Sequence, residues 1–285
     1  MTDFLVYDVF TDQAFGGNPL AVIPDARGIA EVDLHKVARE FNFSETTFVY
    51  PAEAGGDAKV RIFTPTMEVP FAGHPTVGTA LALRDLGRVG DEMVLELGVG
   101  PIPVAISGRR ARFVTKVPLE TWSGPSIEVI AASVGLPHDA IRTDRHAPEI
   151  ASVGLPFALA ELQDGEALSA ALPNTDAFRA FDPHWPAKTH YDLLVYTRHD
   201  TTIHARMFAP LDGIPEDPAT GSAAAALAAY LGRLDGISAC FEITQGVDMG
   251  RPSAITAEVT VEGGAPTSVA ISGEAVKVME GRLLL

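Results

Sequence analysis

One phrase occurs twice in this chain. The first copy runs Arg61-Ile-Phe-Thr-Pro65 and then Phe71-Ala-Gly-His-Pro-Thr-Val-Gly-Thr-Ala80. The second runs Arg206-Met-Phe-Ala-Pro210 and then Glu216-Asp-Pro-Ala-Thr-Gly-Ser-Ala223. A duplication with so long a period excludes a solenoid and points to two like-built halves packed closely. The join is expected near Val117-Pro118-Leu119, giving halves of residues 1–117 and 118–285. Aligned on their prolines, the copies put Pro75 on Pro218, Gly78 on Gly221, Thr79 on Ser222 and His74 on Asp217. A repeated frame that offers a different titratable group from each half suits a two-sided acid/base site.

The order of elements repeats as well. Strands are expected over Phe4–Val9, Leu20–Ile23, Thr46–Tyr50 and Lys59–Phe63, with turn residues at Gly16-Gly-Asn-Pro19. Leu34, Val37, Ala38 and Phe41 mark one apolar helix stripe. In the second half, Gly154-Leu-Pro-Phe157 echoes Gly17-Asn-Pro-Leu20. A short helix over Thr175–Phe181 and strands over Leu193–Tyr196 and His204–Phe208 then lead into the second motif.

Each motif runs into an apolar helix, Thr76–Leu86 before Gly87 and Gly221–Leu231 before Gly232, with the glycines read as stop signals. The alanine-rich second helix has almost no polar face, so it must be buried all round. The fold class is therefore α+β, two pseudo-symmetric halves, each a curved mixed sheet wrapped around a central helix. Related by a pseudo-twofold, the two helix N-termini would meet at a cleft between the halves.

Composition removes several function classes. A net charge of −16 repels phosphate backbones and anionic lipid, so neither nucleic acid nor a membrane surface is an expected partner. The one cysteine, Cys240, cannot form an internal disulfide and lies in apolar sequence. No signal-peptide pattern opens the sequence, and a cytoplasmic location is the default expectation. No metal-ligand spacing is present: the eight histidines include no HExxH and no compact Cys/His cluster. The nucleophile elbow, the phosphate-binding lysine loop and the dinucleotide GxGxxG are also missing.

Helix N-termini leave backbone N–H groups without partners and carry partial positive charge. Two of them facing one cleft would hold a carboxylate or a developing enolate, with Gly73 and Gly221 allowing close approach. Either glycine also serves as a plain tight turn. Asp217-Pro218 equally fits an N-cap followed by a first helical proline. Ser222 is placed either to donate to substrate or to settle the first helical turn.

Asn18-Pro19, Ser44-Glu45-Thr46, Phe71-Ala-Gly-His-Pro-Thr76 and Glu216-Asp-Pro-Ala-Thr-Gly-Ser222 together resemble the PhzF-like family of phenazine-biosynthesis isomerases. The resemblance spans nearly the whole chain. It implies the diaminopimelate-epimerase-like fold, a cofactor-free enzyme that forms a homodimer, and a small carboxylate-bearing substrate. The family's best-known activity is isomerisation of trans-2,3-dihydro-3-hydroxyanthranilate by acid/base proton movement. Glu45 matches its catalytic carboxylate, while His74, Asp217 and Ser222 match supporting site residues; Asn18, Gly73 and Gly221 join them as substrate-binding candidates. A carboxyl in that role would have its pKa raised by partial burial. The resemblance also implies that a last strand, about 275–285, returns to the first half. Two rivals remain at this level. A two-thiol racemase on the same fold needs a cysteine from each half, and a non-catalytic metabolite-binding protein would keep the fold without turnover.

Overall fold

Strand β1 (Thr2–Val9) pairs antiparallel with β2 (Asn18–Ile23), and β2 pairs parallel with β3 (Glu45–Tyr50) across helix α1 (Glu31–Phe41). The alternation and apolar runs read from the sequence thus become strands, each starting one or two residues earlier than expected. Strands β4 (Ala58–Phe63), β5 (Glu68–Val69), β6 (Glu92–Leu97), β7 (Gly100–Ser107) and β8 (Arg110–Thr115) continue the sheet. Helix α2 (Gly73–Asp85) packs against β1, β2, β3, β6 and β7, so the mixed sheet curls around it. Helix α1 covers the outer face, where Leu34, Val37 and Ala38 pack with Ile23, Phe48 and Phe63.

The second stretch repeats that plan. It comprises β9 (Glu120–Ser123), α3 (Ile127–Val134), β10 (Glu149–Ser152), β11 (Pro156–Glu161), α4 (Gly165–Ala170), α5 (Thr175–Phe181) and β12 (Leu193–His199). There follow β13 (Thr202–Ala209), β14 (Ile214–Asp217), α6 (Gly221–Asp235), β15 (Ala239–Gln245) and β16 (Ser253–Glu262). Helix α6 packs against β10, β11, β15 and β16 and is buried from Ala223 to Gly232. The long β17 (Ala265–Leu283) ends antiparallel to β1, from Ala275 opposite Val9 to Leu283 opposite Thr2. The computed structural model describes residues 1–285, in two compact units: Met1–Val114 with Ile271–Leu285, and Thr115–Ala270. No helix is long and apolar enough to cross a membrane.

Two sequence expectations are corrected here. Gly232 does not stop its helix; α6 continues to Asp235 and ends at Gly236, whose φ of 71° supplies the left-handed cap. Gly232 is instead a close-approach position, because a Cβ there would sit 2.8 Å from Val259 Cγ1.

The second correction concerns the proline alignment of the copies. Arg61 holds Glu68 through paired contacts of 2.8 and 2.7 Å, and Arg206 holds Glu216 through two of 2.8 Å. These matched braces put Glu68 on Glu216. Strand pairing agrees, since Val69 lies opposite Ile62 and Asp217 opposite Met207. Pro70 therefore corresponds to Pro218, Gly73 to Gly221 and His74 to Ser222, with Val69 in the place of Asp217. His74 and Asp217 are not symmetry mates.

Candidate active site

In the first unit three side chains from separate elements form a line. Asn18 opens β2, Glu45 opens β3 and His74 is the second residue of α2. The chain reaches Asn18 through Gly17, at φ 60°, where a Cβ would lie 2.3 Å from the Val9 carbonyl oxygen; only glycine fits. Asn18 Nδ2 lies 3.4 Å from His74 Nδ1, and His74 Nε2 lies 3.4 Å from Glu45 Oε2. With the amide donating to Nδ1, the imidazole proton sits on Nε2, the ring nitrogen nearer Glu45.

Burial decides the charge of that imidazole. Asn18 and His74 are shut off from solvent, and desolvation pushes the His74 pKa down to about 3. At neutral pH His74 is an uncharged donor held in one tautomer. Glu45 keeps 15% of its side chain exposed, although its Oε2 is itself buried. Asn18 sits behind the ring, where it orders His74.

The second unit arranges its groups differently. Asp217 ends β14 and is buried, four residues before α6 begins. It does not cap the helix: Thr220 is the N-cap residue, and its hydroxyl donates to Asp217 Oδ2 at 2.5 Å. Gln245 on β15 donates to the Asp217 carbonyl at 2.7 Å and accepts from the Thr220 N–H at 3.3 Å. Motif reading missed Thr220 and Gln245 as the residues that fix this loop; Thr220 lies inside Glu216-Asp-Pro-Ala-Thr-Gly-Ser222, whereas nothing local marks Gln245. Gly221 and Ser222 form the first turn of α6, as Gly73 and His74 form that of α2. Neither helix start is capped by its own N-cap side chain, and neither first turn contains an acidic residue. Both therefore suit an anion.

Behind these loops sit the two arginines. Arg206 is buried, pairs with Glu216, and donates through one nitrogen to the carbonyls of Leu168, Ser169 and Ala171. The residue next to Glu216 is Asp217, so this brace fixes the backbone that carries the carboxylate. Arg61 does the same for Glu68 and also bonds Glu31, from a more exposed position.

The profile of the phenazine biosynthesis-like protein family, PhzC–PhzF, matches residues 7–281. The chain belongs to that family. It is 37% identical to the trans-2,3-dihydro-3-hydroxyanthranilate isomerase of Pseudomonas aeruginosa over the full length of both chains. An isomerase of Mesorhizobium japonicum, of uncharacterized activity, is 39% identical over 99% of each chain. Among solved structures, a PhzF family protein from Bacillus anthracis superposes with a TM-score of 0.90, at 25% identity over 100% of this chain and 99% of the other. A probable proline racemase from Agrobacterium radiobacter reaches a TM-score of 0.66 at 14% identity, covering 100% of this chain and 93% of its own, which speaks for the fold alone. The protein is thus a PhzF-type isomerase, and its α+β architecture is the one shared with racemases and epimerases. The two-thiol chemistry of the rival reading has no counterpart, because the first turns of α2 and α6 contain no cysteine and Cys240 lies on β15.

Proposed function

We propose that this PhzF-family protein is a cofactor-independent isomerase that moves a proton on a small carboxylate-bearing substrate, as in the isomerisation of trans-2,3-dihydro-3-hydroxyanthranilate. Glu45 is the shuttle: its carboxylate takes a proton from one carbon, becomes a neutral acid, and returns the proton at another carbon. No electrons are gained or lost overall. The observation that carries this reading is a neutral, buried His74 whose Nε2 lies 3.4 Å from Glu45 Oε2. A neutral imidazole beside the carboxylate leaves its basicity intact, whereas a permanent cation would quench it.

In each unit the helix start, Gly73 in the first and Gly221 with the Ser222 hydroxyl in the second, offers donors suited to a carboxylate or to enolate-like charge. Asp217, fixed by Thr220 and Gln245, is the acid/base group of the second half. The kinship with a named dihydro-hydroxyanthranilate isomerase supports this substrate class.

Proton NMR in D₂O tests the proposal, with trans-2,3-dihydro-3-hydroxyanthranilate beside a panel of small amino and hydroxy acids. Glu45-dependent product formation or deuterium uptake is expected. Glu45→Gln should lower the rate by about 10²–10⁴-fold while the protein stays folded. Near wild-type turnover in that variant would remove Glu45 from the mechanism. Tight small-acid binding without isotope exchange would favour a metabolite-binding role instead.

A further inference from the structure

A chain of buried hydroxyls in the first unit ties together the same three elements that supply the site. Thr79 of α2 donates from Oγ1 to Thr47 Oγ1 of β3 at 2.9 Å, and Thr47 Oγ1 donates in turn to the carbonyl of Ala21 on β2 at 3.5 Å. Asn18, Glu45 and His74 come from β2, β3 and α2 as well. Both threonines are wholly buried. Thr76, three residues earlier on α2, bonds back to the Ala72 carbonyl at 2.7 Å, the usual recourse of a helical threonine. Thr79 instead directs its proton out of the helix to the strand.

Spacing makes this link a second rung beside the Glu45–His74 contact. Glu45 and Thr47 are two apart on β3 and share a face, about 6.6 Å from one another along the strand. His74 and Thr79 are five apart on α2, about 7.5 Å along its axis. The 3.4 Å approach of His74 to Glu45 and the 2.9 Å bond of Thr79 to Thr47 therefore cross the same helix–strand gap at neighbouring levels. Between them Gly78 seats the helix, since a Cβ there would lie 2.6 Å from both Leu20 Cδ2 and Val9 Cγ2. That packing fixes how closely α2 lies on β1 and β2. Apolar contact has no direction and leaves the helix free to slide or roll against β3, whereas a hydrogen bond does not.

The second unit shows that the fold itself does not call for these hydroxyls. Thr47 lies opposite Ile62 and Leu194 opposite Met207, and Ile62 and Met207 hold the same position of the repeated phrase. Leu194 is thus the counterpart of Thr47. With Gly73 matched to Gly221, Thr79 falls on Leu227. Leu194 and Leu227 are both buried, so the repeated core accepts two leucines where the first unit keeps two threonines. The unit with the hydroxyl pair is the one that holds Glu45 against His74. We propose that Thr47 and Thr79 are positioning residues for the reaction, their bond setting the distance and ring orientation of His74 relative to Glu45. This rests on the acid/base reading above and deepens it.

The test compares Thr79→Val, which keeps the branched shape and loses the hydroxyl, with Thr79→Ser, which keeps the hydroxyl. Nitrogen-15 NMR of the intact protein with labelled histidine is read without substrate, the His74 signals being assigned by their absence in His74→Gln. These ring resonances should move in Thr79→Val and in Thr47→Val, and return toward wild type in Thr79→Ser. With trans-2,3-dihydro-3-hydroxyanthranilate, Thr79→Val should lower kcat by about tenfold or more and leave KM nearly unchanged, as expected when a reacting group is displaced slightly. Thr79→Ser should recover most of that loss. The double variant of Thr47→Val and Thr79→Val should be no slower than either single one, because both remove the same bond. Unmoved His74 resonances, or a wild-type kcat in a Thr79→Val protein that has only lost stability to urea, would overturn the positioning role. A Thr79→Ser protein as slow as Thr79→Val would overturn it too. Full activity of Thr79→Val beside an inactive Glu45→Gln would refute the threonine pair and spare Glu45. A fully active Glu45→Gln, beside His74 resonances that still follow Thr79, would remove Glu45 and leave the hold on His74 standing.

Discussion

Acid should weaken this protein through one identifiable group, and the size of the effect follows from where His74 sits. His74 is fully buried, with its pKa pushed down from 6.5 to about 3 by desolvation. In the unfolded chain the same imidazole titrates at about 6.5. Between those values the unfolded state binds a proton that the folded state does not, so stability falls as pH drops through about 6.5 and levels off only near the folded value. At pH 5 the unfolded imidazole is protonated by a margin of about 1.5 units, which at about 1.4 kcal/mol per unit is about 2 kcal/mol. His74→Gln keeps an amide donor toward Glu45 and cannot titrate. Urea unfolding of wild type and variant at pH 7 and pH 5 isolates the term, because other titrating groups cancel in the comparison. The wild type should lose about 2 kcal/mol more than the variant over that interval. Equal losses would mean that His74 is protonated or solvated in the folded state, and the neutral-donor account of Glu45 would fall with it.

The repeated arginine should matter unequally in the two halves. Arg206→Ala strands Glu216 and removes donors from three carbonyls in a buried setting, costing about 3–5 kcal/mol, whereas Arg61→Ala breaks pairs to the exposed Glu31 and Glu68 and should cost about 1 kcal/mol or less, both read by denaturant unfolding. Gly17→Ala forces a side chain into a φ of 60° and onto the Val9 carbonyl, so a loss of at least about 2 kcal/mol is expected in the same assay. The dimer implied by family resemblance predicts a light-scattering mass twice the 30.1 kDa of one chain, and a monomer mass would refute it.

Much of this architecture was legible because the signals were physical. The all-apolar stretch from Ala223 to Leu231 had to be enclosed, and β3 and β4 announced themselves through β-branched and alternating residues. The misreadings share a cause. His74-Pro75 and Asp217-Pro218 look alike as dipeptides, so a proline-anchored alignment matched them, yet the strand pairs and the Arg–Glu braces set the frame five residues away from that match. Gly232 looks like a stop because glycine disfavours helix, but a crowded contact with Val259 demands it inside one.

The last strand has a consequence for how the protein is made. β1 needs residues 275–283 as its antiparallel neighbour, so the first element synthesised waits for almost the last. Until then a long, largely buried strand offers an open hydrogen-bonding edge to whatever chain is nearby. Biogenesis, rather than final stability, is then the hazardous stage: the N-terminal unit cannot finish folding on the ribosome, and a nascent chain cut a dozen residues short would be an aggregation seed.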